Sequence, residues 1–244
     1  MTALRGVRGE FEMGEFSHMG EDFDIQCNNL TIGDHFYHSS GLRVGGGGHS
    51  GPNANLTIGD RCTVHNNFLN VCEPIVIGND VGLSEEVSII THGYWQSVLE
   101  GHPAKFAGVT IGNGVIVGYR SIILPGVEIA DGCVIGAGAV VTRSLKTKGI
   151  YGGNPARFIR GIFPLSNSEK EFKALGIVHK YNELANYHGL TPSIEFKFPE
   201  VRVDDFTANL LTFEYKGIET ETTDHFRDYM RKWGIRIYTE RPFG

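Results

Sequence analysis

Ten histidines are spread along this chain of 244 residues, and one of them coincides with a break in an otherwise regular pattern. It is His92, in the stretch SIITHGYW. Imidazole is the side chain best suited to take or give a proton near neutral pH. A histidine placed where the pattern is abandoned is therefore where chemistry is to be looked for, although spacing alone gives it no role. His102, in EGHPAKF, lies on the same interrupted stretch as a rival or a substrate contact. His65, Asn66 and Asn67, in VHNNF, could face the same cleft. Glu85 and Glu86 precede His92 but have no spacing that pairs them with it, and are read as solvated charges.

The pattern that breaks is a repeat of six. Aliphatic residues recur at Ile111, Val117, Ile123, Ile129, Ile135 and Val141, and before the break at Ile77, Leu83 and Ile89. Small or aliphatic residues follow four places later in each unit, as at Val115, Ser121, Val127, Cys133 and Ala139. A helix needs apolar positions near every 3.6 residues and a simple strand every second, so a strict six suits neither. It suits short strands separated by corners, three to a coil, with each coil burying its aliphatics against the next. The expected scaffold is a parallel β-helix. Glycines after the aliphatic position (Gly78, Gly112, Gly118, Gly136) fit corners where a Cβ would be costly. Weaker copies, NLTIGDHFYH and NLTIGDRCTVHNNFLNV, extend the pattern towards the N-terminus, with a slip of one residue between Val64 and Ile77 that is placed at Pro74.

The rhythm fades near Leu145. Beyond it, SEKEFKALGIVHKYNELANYHG has a serine before an acidic first turn and helix-like apolar spacing. VRVDDFTANLLTFEYKGIE alternates like strands, TTDHFRDYMRKWG reads as a capped helix ending at Gly234, and IRIYTE as a short strand. The expected organisation is a β-helix domain over 1–163, with projecting loops near 45–55 and 93–108, and a small α/β domain over 164–244. The net charge of −6 gives no overall basic field for nucleic acid. No apolar run reaches membrane-spanning length, and the first residues lack the apolar centre of a secretory signal. Cys27, Cys62, Cys72 and Cys133 form no CxxC pair, which suits free thiols in a reducing compartment. The expectation is a cytoplasmic chain with no membrane insertion.

The block TIGNGVIVGYRSIILPGVEIADGCVIGAGAVVTRS, followed by GGNPARFIRG, resembles the hexapeptide-repeat acyltransferases. Within that family it is most similar to the galactoside, maltose, xenobiotic and polysaccharide O-acetyltransferases. The resemblance implies a left-handed β-helix, an exception to the usual right-handed crossover, and a homotrimer with active sites between subunits. It implies acetyl-CoA as co-substrate and His92 as the general base that deprotonates the acceptor during direct attack on the thioester. Carried over residue by residue, it places coenzyme A against Tyr119, Ala137, Thr142, Arg143, Arg157 and Arg160. The arginines suit phosphate groups. Tyr119 departs from the small residue common there, and Ile116 replaces a frequent tryptophan.

The expected function is acetyl transfer to a hydroxyl of a sugar or polysaccharide precursor, with N-acetylation of an amino sugar or antibiotic as the alternative. An acyl-carrier-protein donor is a further alternative. A γ-type carbonic anhydrase on the same fold would need converging histidines, but Ser97 stands five places after His92 and the following coils hold none; no metal is expected. The run GGGGHSG at 45–51 lacks the Gly-Lys-Ser/Thr and helix of a phosphate loop. It is read as a flexible loop shaping the acceptor pocket.

Overall fold

The structure, a computed structural model, describes residues 3–241. The chain divides into two compact units between Ile162 and Phe163. The first winds through three parallel sheets in turn, the architecture of a left-handed parallel β-helix. The first face stacks Phe11–Met13, Leu30–Ile32, Leu56–Ile58, Ile75–Ile77, Val109–Ile111 and Glu128–Ile129. The second runs from His18–Glu21 through Thr63–Val64, Gly82–Leu83, Ile116–Val117 and Val134–Ile135 to Ile150–Gly152. The third includes Arg43–Gly45, Phe68–Asn70, Ser88–Ile90, Ile122–Ile123 and Val140–Val141. The coils begin ahead of Leu30, where the repeat first becomes legible, because the earliest strands lack the aliphatic regularity of the later ones.

Successive regular coils are offset by three repeat units, as the pairing of Thr110 with Glu128 shows. Ile111, Val115, Val117, Ile123, Val127, Ile129, Cys133, Ile135 and Val141 fill one continuous core. Ser121 is also buried, and its hydroxyl donates to the Gly136 carbonyl at 3.0 Å. Burial pushes the Cys62 thiol up to about 11. The glycines after the aliphatic position serve a close approach between coils. At Gly112 a Cβ would stand 2.3 Å from Asp131 Oδ1 and 2.8 Å from its backbone nitrogen. The slip between Val64 and Ile77 has two parts. Besides the extension ending at Pro74, the corner at 65–67 is tight. Thr63 pairs with Gly82 before it and Phe68 with Ser88 after it, so the facing coil spends one more position on the same corner.

Three corners join the faces. At the first corner, between first and second faces, side-chain oxygens of Asp34, Asp60, Asn79, Asn113 and Asp131 each accept the backbone N–H of a residue one coil below. These bonds measure 2.7–3.0 Å. The second corner leads to the third face, and the third corner starts the next coil.

The second unit packs helix α1 (Asn167–Tyr187) and helix α2 (Glu221–Arg231) with an antiparallel sheet of four strands. Its core includes Ala174, Val178, Tyr181, Val201, Phe206, Phe226 and Met230. The cap of α1 is Ser166, slightly ahead of Ser168, the serine that opens the helical pattern in the sequence. Ser166 Oγ accepts from Glu169 N, and the Glu169 carboxylate accepts from Ser166 N, forming a capping box. IRIYTE does not form a strand. Its backbone turns instead to a buried guanidinium: Arg227 Nε donates to the Ile237 carbonyl at 3.0 Å and its NH2 to that of Arg241. Among the described residues no helix is long and apolar enough to cross a membrane.

Candidate active site

The third corner is where the coil opens. Ile75 pairs with Val109, a far wider step than the regular pairing of Thr110 with Glu128, and the interruption adds nearly the length of a whole coil. The added chain forms a hairpin in which His92 pairs with Phe106 and Gly93 with Lys105, antiparallel. One buried side chain pins its root. Thr91 Oγ1 donates to the Asn70 carbonyl at 2.6 Å and accepts from the N–H groups of Cys72 and Glu73 at 2.9 and 3.1 Å. The Ala107 N–H closes the hairpin on the Thr91 carbonyl at 2.9 Å. The chain therefore leaves the coil at a fixed point, and the next residue is His92.

The imidazole of His92 stacks on Phe106, with centroids 6.0 Å apart and planes 11° apart, and Tyr94 lies tilted against it at 5.3 Å. The ring is half-buried. Its Nδ1 is buried and has no hydrogen-bond partner among the described residues. Asn70 Oδ1, one coil below on the same edge, is in the same condition, while Asn70 Nδ2 donates to the Gly45 carbonyl at 3.1 Å. Buried polar atoms are nearly always paired, so these two atoms on one short strip are candidates to take a partner from outside the chain. His102 lies beyond a short 3-10 turn (Val98–Glu100) on the exposed return of the hairpin, and no hydrogen bond or ring contact joins it to His92.

His65, Asn66 and Asn67 lie at the second corner, and not with His92. Asn67 is buried and spent on the scaffold: its Oδ1 accepts from His65 N at 2.8 Å, and its Nδ2 donates to the Ser84 carbonyl at 2.7 Å. His65 Nδ1 is 2.7 Å from Ser39 Oγ. Asn66 Oδ1 accepts the Glu86 N–H. Tyr119 and Ala137 continue the same column in the following coils, with the Gly138 N–H bonded to the Tyr119 carbonyl at 2.7 Å. The Tyr119 hydroxyl donates to Glu86 at 2.9 Å, and Arg120 pairs with the same carboxylate. Arg120 first, and Tyr119 second, hold the Glu86 carboxyl below its ordinary range. Thr142 and Arg143 are exposed at the third corner, and Arg157 and Arg160 are exposed on Arg157–Arg160, the strand that closes the second face.

The residues singled out in the sequence thus fall on two edges of the coil. A face of about six residues separates those edges by roughly 15–20 Å. One edge carries His92, His102, Thr142 and Arg143; the other carries His65, Asn66, Asn67, Tyr119 and Ala137. Reasoning from sequence missed Asn70, Thr91 and Arg120. Thr91 and Asn70 could have been found as polar residues beside aliphatic repeat positions, whereas Arg120 carried no signal of its own.

The bacterial transferase hexapeptide (six repeats) family matches residues 108–143. The chain is 31% identical over 170 residues to the galactoside O-acetyltransferase of Escherichia coli (strain K12), covering 64% of this chain and 78% of that protein. It is 32% identical over 158 residues to a chloramphenicol acetyltransferase of Agrobacterium fabrum, covering 58% and 72%. Among solved structures, AntD, an N-acyltransferase from Bacillus cereus in complex with dTDP and 3-hydroxybutyryl-CoA, shares the fold. The TM-score is 0.51 at 18% identity, over 72% of this chain and 91% of that one. With its repeats, its coil and the extent of this similarity together, the chain belongs to the hexapeptide-repeat acetyltransferases.

Proposed function

We propose that the protein transfers an acetyl group from acetyl-CoA to a hydroxyl of a sugar or polysaccharide precursor, with His92 as general base. The observation that carries this reading is the placement of His92 at the pinned root of the hairpin, with its own Nδ1 and Asn70 Oδ1 on the same edge both buried without partners. His92 takes the proton of the acceptor hydroxyl as its oxygen attacks the thioester carbonyl. The tetrahedral oxyanion collapses with cleavage of the C–S bond, and the proton passes to the departing thiolate. Backbone N–H groups of the coil corners are suited to hold the oxyanion.

Coenzyme A lies, in this reading, along the second corner of one copy past Tyr119 and Ala137, with Arg157 and Arg160 near its nucleotide end and with Thr142 and Arg143 supplied by the third corner of the neighbouring copy that also brings His92. Guanidinium groups pair well with phosphates. Because His92 and the Tyr119–Ala137 column sit on different edges, a complete site requires the third corner of one copy to meet the second corner of another. Three copies around an axis close such a head-to-tail contact. The hairpin supports this assembly: Tyr94, Trp95, Val98, Leu99 and Phe106 are all exposed on it, an apolar surface fit to be covered by a neighbour.

The test is thiol release from acetyl-CoA with a panel of sugars and amino sugars as acceptors. We expect acetylation of a sugar hydroxyl. Acetylation confined to amines would replace the acceptor class, and turnover retained in His92→Ala would remove the assignment of the base.

A further inference from the structure

The glycine-rich stretch joins the same edge as His92. Leu30 pairs with Leu56, again a wider step than that of Thr110 to Glu128, so this insertion also lengthens the third corner, by about half as much as the hairpin does. It folds back on itself through bonds from the His49 N–H to the Gly46 carbonyl and from the Gly51 N–H to the Gly48 carbonyl. It is seated on the strip that leads to His92. A Cβ at Gly46 would stand 2.6 Å from Asn70 Nδ2, one at Gly48 would stand 2.3 Å from Cys72 Sγ, and one at Gly47 would stand 3.1 Å from His92 Nε2 and 3.4 Å from its Cε1.

These three glycines are not equivalent. Gly46 and Gly48 have φ of 93° and 83°, conformations that side chains other than glycine rarely adopt. Gly47 has no such constraint on its backbone. A side chain at Gly47 would thus be crowded by the imidazole, with the Tyr94 hydroxyl at an ordinary 3.9 Å. The ring cannot simply swing away, because Phe106 stacks on it and Tyr94 leans against it.

We propose that segment 46–48 of the glycine-rich loop is the acceptor-selecting wall of the site, and that Gly47 is its specificity-determining residue, keeping the Nε2 edge of His92 uncovered for an incoming hydroxyl. A methyl group at Gly47 caps that edge and narrows the approach, so bulky saccharide acceptors lose more than small ones. Asn70 sets the height of the wall through its bond to the Gly45 carbonyl. The selectivity part of this inference rests on His92 being the base; the access part does not.

Gly47→Ala tests it, with Gly51→Ala as the control in the same loop, since a Cβ at Gly51 meets only the Gly48 carbonyl at an ordinary 3.4 Å. The first readout is the rate at which diethyl pyrocarbonate modifies His92, followed by peptide mass spectrometry and independent of any turnover. The second is kcat/KM for galactose and maltose with acetyl-CoA, alongside the Kd of acetyl-CoA. One misplaced methyl group in a binding site costs tenfold or more. We therefore expect Gly47→Ala to slow modification of His92 by about tenfold and to lower kcat/KM by about tenfold, more for maltose, with acetyl-CoA affinity and melting temperature unchanged. Gly51→Ala should behave as the parent protein. Unchanged modification of His92 in Gly47→Ala, or an equal loss in Gly51→Ala, overturns the inference. Turnover surviving in His92→Ala, with modification slowed as expected, removes the base and leaves the access result standing.

Discussion

Two corners of the same coil lead opposite lives. At the first corner, coil after coil repeats one device, a side-chain oxygen of Asp or Asn that accepts the N–H of the coil below. Arg61 adds a bidentate pair with Asp80, both contacts at 2.9 Å. At the third corner the chain twice leaves the coil, and it ends with His92 Nδ1 and Asn70 Oδ1 buried and unpaired. Both corners face the same solvent and join strands of similar length. Where the third corner stays regular it uses the same device, Asn29 Oδ1 accepting the Glu10 N–H, Asn55 Oδ1 that of Asn29 and Ser144 Oγ that of Glu128; the difference lies in its two insertions, beside which His92 Nδ1 and Asn70 Oδ1 are left without partners.

Substitutions at the two corners should separate activity from stability. The largest expected effect is that of His92→Ala, which should lower turnover by a factor of about 10² to 10⁴, the usual contribution of a general base. Its melting temperature should fall only slightly, because the ring gives up its contacts with Phe106 and Tyr94 but no hydrogen bond at Nδ1. A large loss of stability in this variant would blur the comparison. Thr91→Val comes next. It strands the N–H groups of Cys72 and Glu73 at the root of the hairpin. Denaturant unfolding should register a cost of about 2–3 kcal/mol. If stability is unchanged, the pinned root is not what fixes His92. Asn113→Ala, on the closed corner, should be the mildest: it removes the exposed bond from the Asn79 N–H and the long 3.5 Å contacts of Asn113 Nδ2 with the Asp131 carboxylate. The expected loss is about 0.5–1 kcal/mol with turnover unaffected. Loss of turnover there would show that the closed corner also does chemistry.

The repeat of six made the scaffold legible because each buried aliphatic position answers to a local rule, the distance between successive strands of one coil. The break at His92 was legible for the same reason, since an insertion disturbs a count. Partners were not legible. Nothing in the count distinguishes Asn67, consumed by its own corner, from Asn70, left with an unpaired oxygen; both are asparagines near an aliphatic position. The opposite edges of His92 and His65 were hidden because corner identity depends on tracking every short corner and insertion. The tightening at 65–67 is invisible without strand pairing. In the second unit, IRIYTE has the composition of a strand, but the buried Arg227 of the preceding helix takes its Ile237 carbonyl and that of Arg241 just beyond it. Long-range polar competition of this kind leaves no local periodicity.

The central claim is that the base and the cofactor column come from different copies. It is tested most directly by mixing two inactive variants, His92→Ala and Ala137→Trp, after unfolding and refolding them together. The first retains the second-corner column, and the second retains His92. If sites form between copies, roughly a quarter of the contacts in an equal mixture pair an intact His92 edge with an intact column. Acetyl transfer from acetyl-CoA should then return to about a quarter of the parental rate. Native mass spectrometry establishes that mixed assemblies have formed. Mixed assemblies with no recovered activity would contradict the account and place the whole site within one chain.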